Sequence, residues 1–496
     1  TTISGMSKIE LRVKSNQDGI ADAIYSINFT VAQYQSTVLS DIKLDDVSLA
    51  GFDSHKTKYV VSITNKPSSI DAVSPASNII AEKVIDTSNH VRFTVSNTFN
   101  SETITYDLYF HYTNDVIPNG EFTQWTTAKY NSGPKPVGWK VPADAVEKSS
   151  TGWEWMFGTA KTGSEVANSS NQAARLKTTY WAVLAGTIPS VMTIGDISCE
   201  LKVAIGSTTN FSGGITFRNT PDFAAIRYNF VKKQGDGALF AFRFDSDARD
   251  YVKTEATSGY TEYVHPLTLD GKSPAQMNIA VNPSNNNKSK DGTNVGDDLY
   301  VDYIRFQYSS KITSISVNGV QAGLSGTTAN ATIESEYRGM PQIDIVGEVS
   351  DQAYGIVFGD ENNGQRVVNI RSYAEDMTYT DYTLNITRPI SSDTNLSNIT
   401  VNGVSISDFS ASKYEYTQNV SKGTKLVPDV VAFGASSYQT IASQINSNAC
   451  IINVTAEDGA TATYTINFAE TYLNDATLAD LSVSGYDISY QVDKND

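Results

Sequence analysis

The chain has 496 residues, 40% hydrophobic and only 18% charged, with a formal net charge of −17 and a sequence pI near 4.7. A chain of this length exceeds what one hydrophobic core can serve, so several domains are expected. No run of Lys or Arg breaks the acidity, which excludes nucleic acid and anionic membrane surfaces as partners.

Residues 1–34 come first and read as the closing half of a β-repeat, ending on Tyr25, Ile27 and Phe29 at period two. Residues 35–115 hold a complete copy. It opens on Leu39-Ser40-Asp41-Ile42-Lys43-Leu44 and closes on Tyr106, Leu108 and Phe110. Residues 309–390 repeat the pattern, from Ile312-Thr313-Ser314-Ile315-Ser316-Val317 to Tyr382, Leu384 and Ile386. Residues 391–470 repeat it again, from Leu396-Ser397-Asn398-Ile399-Thr400-Val401 to Tyr464, Ile466 and Phe468. The opening phrase returns once more at Leu478-Ala479-Asp480-Leu481-Ser482-Val483, so residues 471–496 read as the first strands of a further repeat. From opening aliphatic to closing tyrosine the spacing is 67, 70 and 68 residues (39 to 106, 312 to 382, 396 to 464). Asn318-Gly319, Asn402-Gly403 and Ser484-Gly485 follow the openings as hairpin-turn signals. About seven short strands in about 80 residues is the size of an immunoglobulin-like sandwich.

Residues 116–308 differ in composition. All five tryptophans lie here: Trp125, Trp139, Trp153, Trp155 and Trp181. Strand signals continue at 214–218, 224–230, 238–244 and 299–308 with no sustained 3.6 period, and a segment of this length and pattern suggests a jelly roll. The fold class expected is therefore all-β: tandem immunoglobulin-like sandwiches with one inserted jelly-roll domain like those of carbohydrate-binding modules.

Two resemblances follow from these phrases. The repeats resemble the cadherin-like β-sandwich modules of surface proteins of gut Bacteroidota. The insert carries Asn119-Gly120-Glu121-Phe122 and Trp125, then Pro136-Val137-Gly138-Trp139. Later come Gly214-Ile215-Thr216-Phe217-Arg218 with Pro221-Asp222, and finally Gly296-Asp297-Asp298-Leu299-Tyr300-Val301-Asp302-Tyr303. It looks like the Bacteroidota family described as a carbohydrate metabolism domain, which implies a surface location and a sugar ligand. The closing Val301-Asp302-Tyr303 departs from related modules, which often have two successive acidic residues there. In such jelly rolls an acidic residue from the first and from the last strand can hold a structural calcium. Glu121 and Asp302 stand at the matching positions.

Candidate sites each have a structural alternative. Trp153 and Trp155, separated by Glu154 in a Gly-flanked stretch, could stack on sugar faces while Glu154 accepts hydroxyl hydrogen bonds. The remaining tryptophans suit the core. Arg218 and Asp222 flank a strand-end turn and could grip hydroxyls bidentately, or form a plain surface ion pair. The acidic stretch 291–298 reads equally as a calcium loop or a solvated hairpin tip.

A hydrolase would need two facing carboxylates, drawn from Glu154, Asp222, Asp245 and Asp298. The four histidines form no metal-ligand cluster, and no G-x-S-x-G elbow, phosphate loop or dinucleotide fingerprint occurs. The chain is therefore expected to be non-catalytic. Cys199 and Cys450 are far apart with no metal spacing, which suits a bacterial exterior protein without a disulfide framework. No apolar stretch reaches the roughly 18 residues of a membrane span. The opening at Thr1, without Met or an apolar leader, is expected of a trimmed or cropped chain.

The expected function is glycan binding, to a polysaccharide or oligosaccharide, at the outer face of a bacterial outer membrane or in the secreted fraction. The repeats then serve as spacers, stiffened by linkers such as 388–393. The alternative is a structural adhesin or filament subunit. It would assemble head-to-tail, the half-repeats being completed by strand addition from a second copy.

Overall fold

The computed structural model describes residues 8–13, 23–28, 36–127, 134–141, 144, 160–163, 172–181, 186–189, 191–202, 206–233, 237–245, 249–283, 297–335, 337, 339–421, 428–446 and 448–471. The named elements among them are all strands, and the chain is all-β. It divides into two units. The first contains Thr1–Ser310, Val349–Tyr354 and Tyr373–Tyr379; the second contains Lys311–Glu348, Gly355–Ser372 and Thr380–Asp496.

The first unit opens with a hairpin, Lys8–Val13 against Ala23–Asn28. A two-sheet sandwich follows. One sheet orders Val47–Ser48, Asp41–Leu44 and Ile70–Val73, the other Lys58–Ile63, Thr103–Tyr112, His90–Asn97 and Ile79–Asp86. His90–Asn97 alternates strictly, Val91, Phe93 and Val95 pointing into the core, so each strand has one apolar and one wet face. Fully burying such side chains stabilises by about 1.5–3 kcal/mol each.

The regular spacing of opening aliphatic and closing tyrosine has a hydrogen-bond cause. The Leu39 N–H donates to the Tyr106 hydroxyl (3.2 Å), which itself donates to the Ser54 carbonyl. In the second unit the Ile312 N–H donates to Tyr382 (2.9 Å) and the Leu396 N–H to Tyr464 (3.3 Å). Tyr464 in turn donates to the Ala411 carbonyl (2.8 Å). Each hydroxyl closes a sandwich by satisfying a buried backbone donor that no ladder reaches.

The second unit holds the 391–470 sandwich and all of the 309–390 sandwich except 309–310, 349–354 and 373–379, which belong to the first. That of 391–470 reproduces the 36–115 order strand for strand. That of 309–390 adds one strand, Gly323–Ser325, beside Thr328–Thr332. Between the two lies Arg388, with a side chain only 3% exposed. Its guanidinium reaches Glu361 (Nε 3.0 Å, Nη2 2.6 Å), Glu457 (Nη1 2.8 Å) and the Ser335 carbonyl (3.1 Å), and it sits 4.1 Å over the Tyr438 ring.

The insert in the first unit is a larger antiparallel sandwich. Its six-stranded sheet runs Ala160–Gly163, Gln172–Trp181, Asp298–Gln307, Phe223–Val231 and Thr261–Pro266, with Gly186–Pro189 paired to Gln172–Trp181. The facing sheet runs Met192–Ile194, Gln276–Asn282, Ala238–Phe244 and Asp250–Thr254, with Ile215–Thr216 added. Phe122, Trp139, Phe217, Phe230, Phe240 and Phe242 fill the space between. The 119–122 phrase has a local reason. The Ile304 N–H donates to the Gly120 carbonyl (2.9 Å), and a Cβ at Gly120 would lie 2.4 Å from the Ile304 carbonyl oxygen. Only glycine admits that approach.

Candidate functional site on the outer face of the six-stranded sheet

Strand Asp298–Gln307 is central in its sheet and turns Leu299, Val301, Ile304 and Phe306 toward the core. The alternation slips once. Tyr228 pairs with Val301 and Arg227 with Tyr303, which leaves Asp302 as the extra residue of a β-bulge. Directly paired residues share a face, so the outer face carries cross-strand rows. Arg175, Tyr300 and Asn229 form one row; Arg227, Tyr303 and Glu262 form the next; Arg305 lies beyond, between Ala225 and the 119–122 turn. Successive rows are about 7 Å apart along the strand.

Each arginine has a carboxylate. Arg175 donates Nε to Asp298 Oδ1 (2.7 Å), with its guanidinium 5.4 Å from the Tyr300 ring. Arg227 Nε lies 3.7 Å from Asp302 Oδ2. Arg305 donates Nη2 to Glu121 Oε2 (2.8 Å) and Nε to Oε1, and its guanidinium stacks 4.0 Å over Tyr303. Tyr303 donates its hydroxyl to Glu262. The arginine side chains are 33%, 27% and 51% exposed, so each keeps donors at the surface.

Burial pushes the Asp302 carboxyl up to about 6; Arg227 opposes the shift and Glu121 adds to it. Burial, and then the Glu262 carboxylate, push the Tyr303 phenol up to about 12. Hydrogen bonds donated to Asp298 and Glu121 hold Arg175 and Arg305, respectively, above the ordinary guanidinium value. A groove of about 290 Å³ continues the face past Arg305 and Glu121 to His111, Tyr308 and Asp376. Paired guanidinium and carboxylate groups offer donors and acceptors together, and tyrosine rings offer flat apolar surface. That set suits a neutral, hydroxyl-rich ligand.

Of the candidates from sequence, Glu121, Asp298 and Asp302 fall on this face, each paired with an arginine, and the other described ones do not. Trp153, Glu154 and Trp155 lie outside the described residues, as do 291–296 of the acidic stretch. Trp139 is a core residue, 1% exposed, its indole N–H donated to the Pro118 carbonyl (2.8 Å). Trp125 packs half-buried on the same core and donates to the Phe122 carbonyl.

Arg218 does not meet Asp222. Its guanidinium is held bidentately by Asp115 (2.8 and 2.9 Å) and lies 3.5 Å from the Tyr112 ring, tying the insert to the preceding sandwich. Asn219 strengthens that junction by exchanging hydrogen bonds with the Tyr112 backbone. Asp222 instead accepts the Ser309 N–H (2.7 Å).

Glu121 and Asp302 each face a guanidinium, and no cluster of three metal-ligating side chains occurs among the described residues. Calcium takes six to eight oxygens, so this arginine-neutralised pair does not fit it. The arginine row itself was missed. Its period-two signal is present in 298–305, but the bulge at Asp302 breaks the phase.

No protein-family model matches the chain, and no curated protein matches it in sequence. Among solved structures it is similar to the M60 catalytic domain with the CBM51-1 and CBM51-2 domains of Clostridium perfringens ZmpB, at 12% identity. That match covers 90% of this chain and 43% of the other, with a TM-score of 0.16, so the chain spans less than half of that structure. It is also similar to CBM51-2 in complex with GlcNAc and INT domains of the same protein (8% identity, 83% and 98% covered, TM-score 0.17). A third is the human Desmocollin-1 ectodomain (8% identity, 91% and 78% covered, TM-score 0.14). Similarity this shallow transfers no function.

Proposed function

We propose that this chain is a non-catalytic glycan-binding protein of the bacterial exterior, with its ligand lying along the outer face of the six-stranded sheet. The row of Arg175, Arg227 and Arg305, each paired with a carboxylate and two of them set against tyrosine rings, carries the reading. Binding suits this face better than hydrolysis. Asp298 and Glu121 are locked in ion pairs and Asp302 is 0% exposed, so none stands ready to protonate a glycosidic oxygen. The resemblance of the insert and repeats to Bacteroidota surface modules supports an exterior location, on the outer membrane or secreted. Trp153 and Trp155, with Glu154, supply further stacking and hydrogen-bonding groups in the sequence of the same insert. A filament subunit, the other reading, leaves the arginine row without a purpose.

The test is calorimetric titration of the whole chain with a panel of soluble polysaccharides. At least one should bind saturably. Replacing both Arg227 and Arg305 by Ala should weaken it by about tenfold or more, about 1.4 kcal/mol, measured at a temperature where circular dichroism shows the variant still folded, since Asp302 loses its cation. Binding by none, or undiminished binding by the double variant, would overturn the proposal.

A further inference from the structure

The first sandwich contains a second polar site, exposed by comparing it with its internal copy. Residues 39–59 and 396–416 align without a gap: Leu39 with Leu396, Phe52 with Phe409, Lys56 with Lys413 and Tyr59 with Tyr416. The corner they build is the same in both. Tyr59 donates its hydroxyl to the Asp53 carbonyl and Tyr416 to the Ser410 carbonyl, each at 2.7 Å. Phe52 and Phe409 stack on those rings at 6.0 Å, and Lys56 and Lys413 hold their ammonium groups 4.9 and 4.8 Å from the ring centres.

One difference stands out. Lys413 is neutralised by Asp408, and the position equivalent to Asp408 is Gly51. Among the described residues no carboxylate pairs with Lys56 and no acceptor takes its ammonium hydrogens. In a chain of net charge −17 that is unusual for a half-buried cation. Burial lowers its pKa, with Asp53 acting weakly in the other direction.

Instead the ammonium faces a groove of about 490 Å³ that also includes Gly51. A Cβ at Gly51 would meet nothing within 4 Å. The Tyr373 ring lies 5.7 Å from the ammonium on the groove's other side, and the exposed side chains of Val47 and Met377 form apolar walls. A cavity of this size takes a ligand of one or two rings. Tyr373 offers such a ring a stacking face.

We propose that this groove binds the carboxylate of an acidic sugar, which takes beside Lys56 the place that Asp408 takes beside Lys413, while the sugar ring lies on Tyr373. The choice of a sugar rests on the glycan reading above; the demand for a carboxylate rests on the Gly51/Asp408 difference alone.

Ligand-observed NMR of the whole chain with sodium glucuronate, glucose and N-acetyl-aspartate methylamide separates the possibilities. Glucuronate should bind saturably and glucose should not. Lys56→Gln should weaken glucuronate about tenfold or more. Gly51→Asp should do the same by supplying the carboxylate internally, at a left-handed position (φ +71) that Asp tolerates better than most residues. Measured in the Arg227 and Arg305 double variant, which removes any contribution of the sheet face, glucuronate should still bind saturably and Lys56→Gln should still weaken it. Equal binding of glucose, unaltered binding by both groove variants, or no saturable glucuronate binding would overturn the proposal. Tighter binding of the aspartyl compound would assign the groove to an acidic peptide instead.

Discussion

Thr220 has one hydroxyl proton, yet its oxygen lies against two buried carboxyl groups, Asp351 Oδ2 at 3.0 Å and Glu375 Oε2. Glu375 Oε2 also accepts the Thr220 N–H at 2.8 Å, and the single hydroxyl proton of Thr220 cannot serve both carboxyl groups at once. Asp351 is 6% exposed, and its Oδ1 has no hydrogen-bond partner. Burial, then Glu375 and Asp222, push its pKa up to about 8; Thr220 opposes this and Asp270 adds to it. Also packed around the pair are His111, whose Nδ1 is 3.4 Å from Glu375, and the buried Tyr308 and Tyr109 phenols. Because the folded pKa exceeds the ordinary 3.8, the stability Asp351 contributes is fully present below about 3.8 and is lost as pH rises through about 8. Asp351→Asn keeps the neutral form at every pH. Chemical denaturation between pH 6 and 9.5 should show wild type losing stability and the variant losing less, a difference on the order of 1–3 kcal/mol at the alkaline end. Parallel pH profiles would show that Asp351 is already ionised.

At the level of single elements, the closing tyrosine is the feature most open to a direct test. Tyr464→Phe keeps the ring in the core but leaves the Leu396 N–H and the Ala411 carbonyl without their partner. Unfolding of the 391–470 sandwich should cost about 1–3 kcal/mol less, read as an earlier transition with the first unit's melting unchanged. A neutral result would reduce the tyrosine to packing. Strands and repeats were legible in sequence because alternation and turn chemistry are local, and the tyrosine spacing records a single hydrogen bond. Partners at long range were not. Arg218 met Asp222 on paper at four residues' distance, whereas its real partner, Asp115, sits 103 residues earlier across a junction. The arginine row was hidden for a different reason: one extra residue at Asp302 moves Tyr303 and Arg305 out of phase with Asp298 and Tyr300.

Across the whole molecule, spacer behaviour depends on what joins the sandwiches. Proline in the 388–393 linker suggested stiffness by itself, but the structure adds the Arg388 contacts to Glu361, Glu457, Ser335 and Tyr438. Arg388→Ala would leave two partly buried carboxylates facing each other. It should split melting of the second unit into two calorimetric transitions, the lower displaced by about 1–3 kcal/mol after allowing for the solvent that Glu361 and Glu457 still see. One unchanged transition would mean the sandwiches couple without it.

The central claim is that glycan lies on the outer face of the six-stranded sheet. Hydrogen–deuterium exchange of the whole chain, with and without the tightest-binding polysaccharide, tests it most directly. Protection in Asp298–Gln307 and Phe223–Val231, falling away in the Arg227 and Arg305 double variant, is the predicted result. Protection confined to 145–171, around Trp153 and Trp155, or absent from the insert altogether, would contradict it.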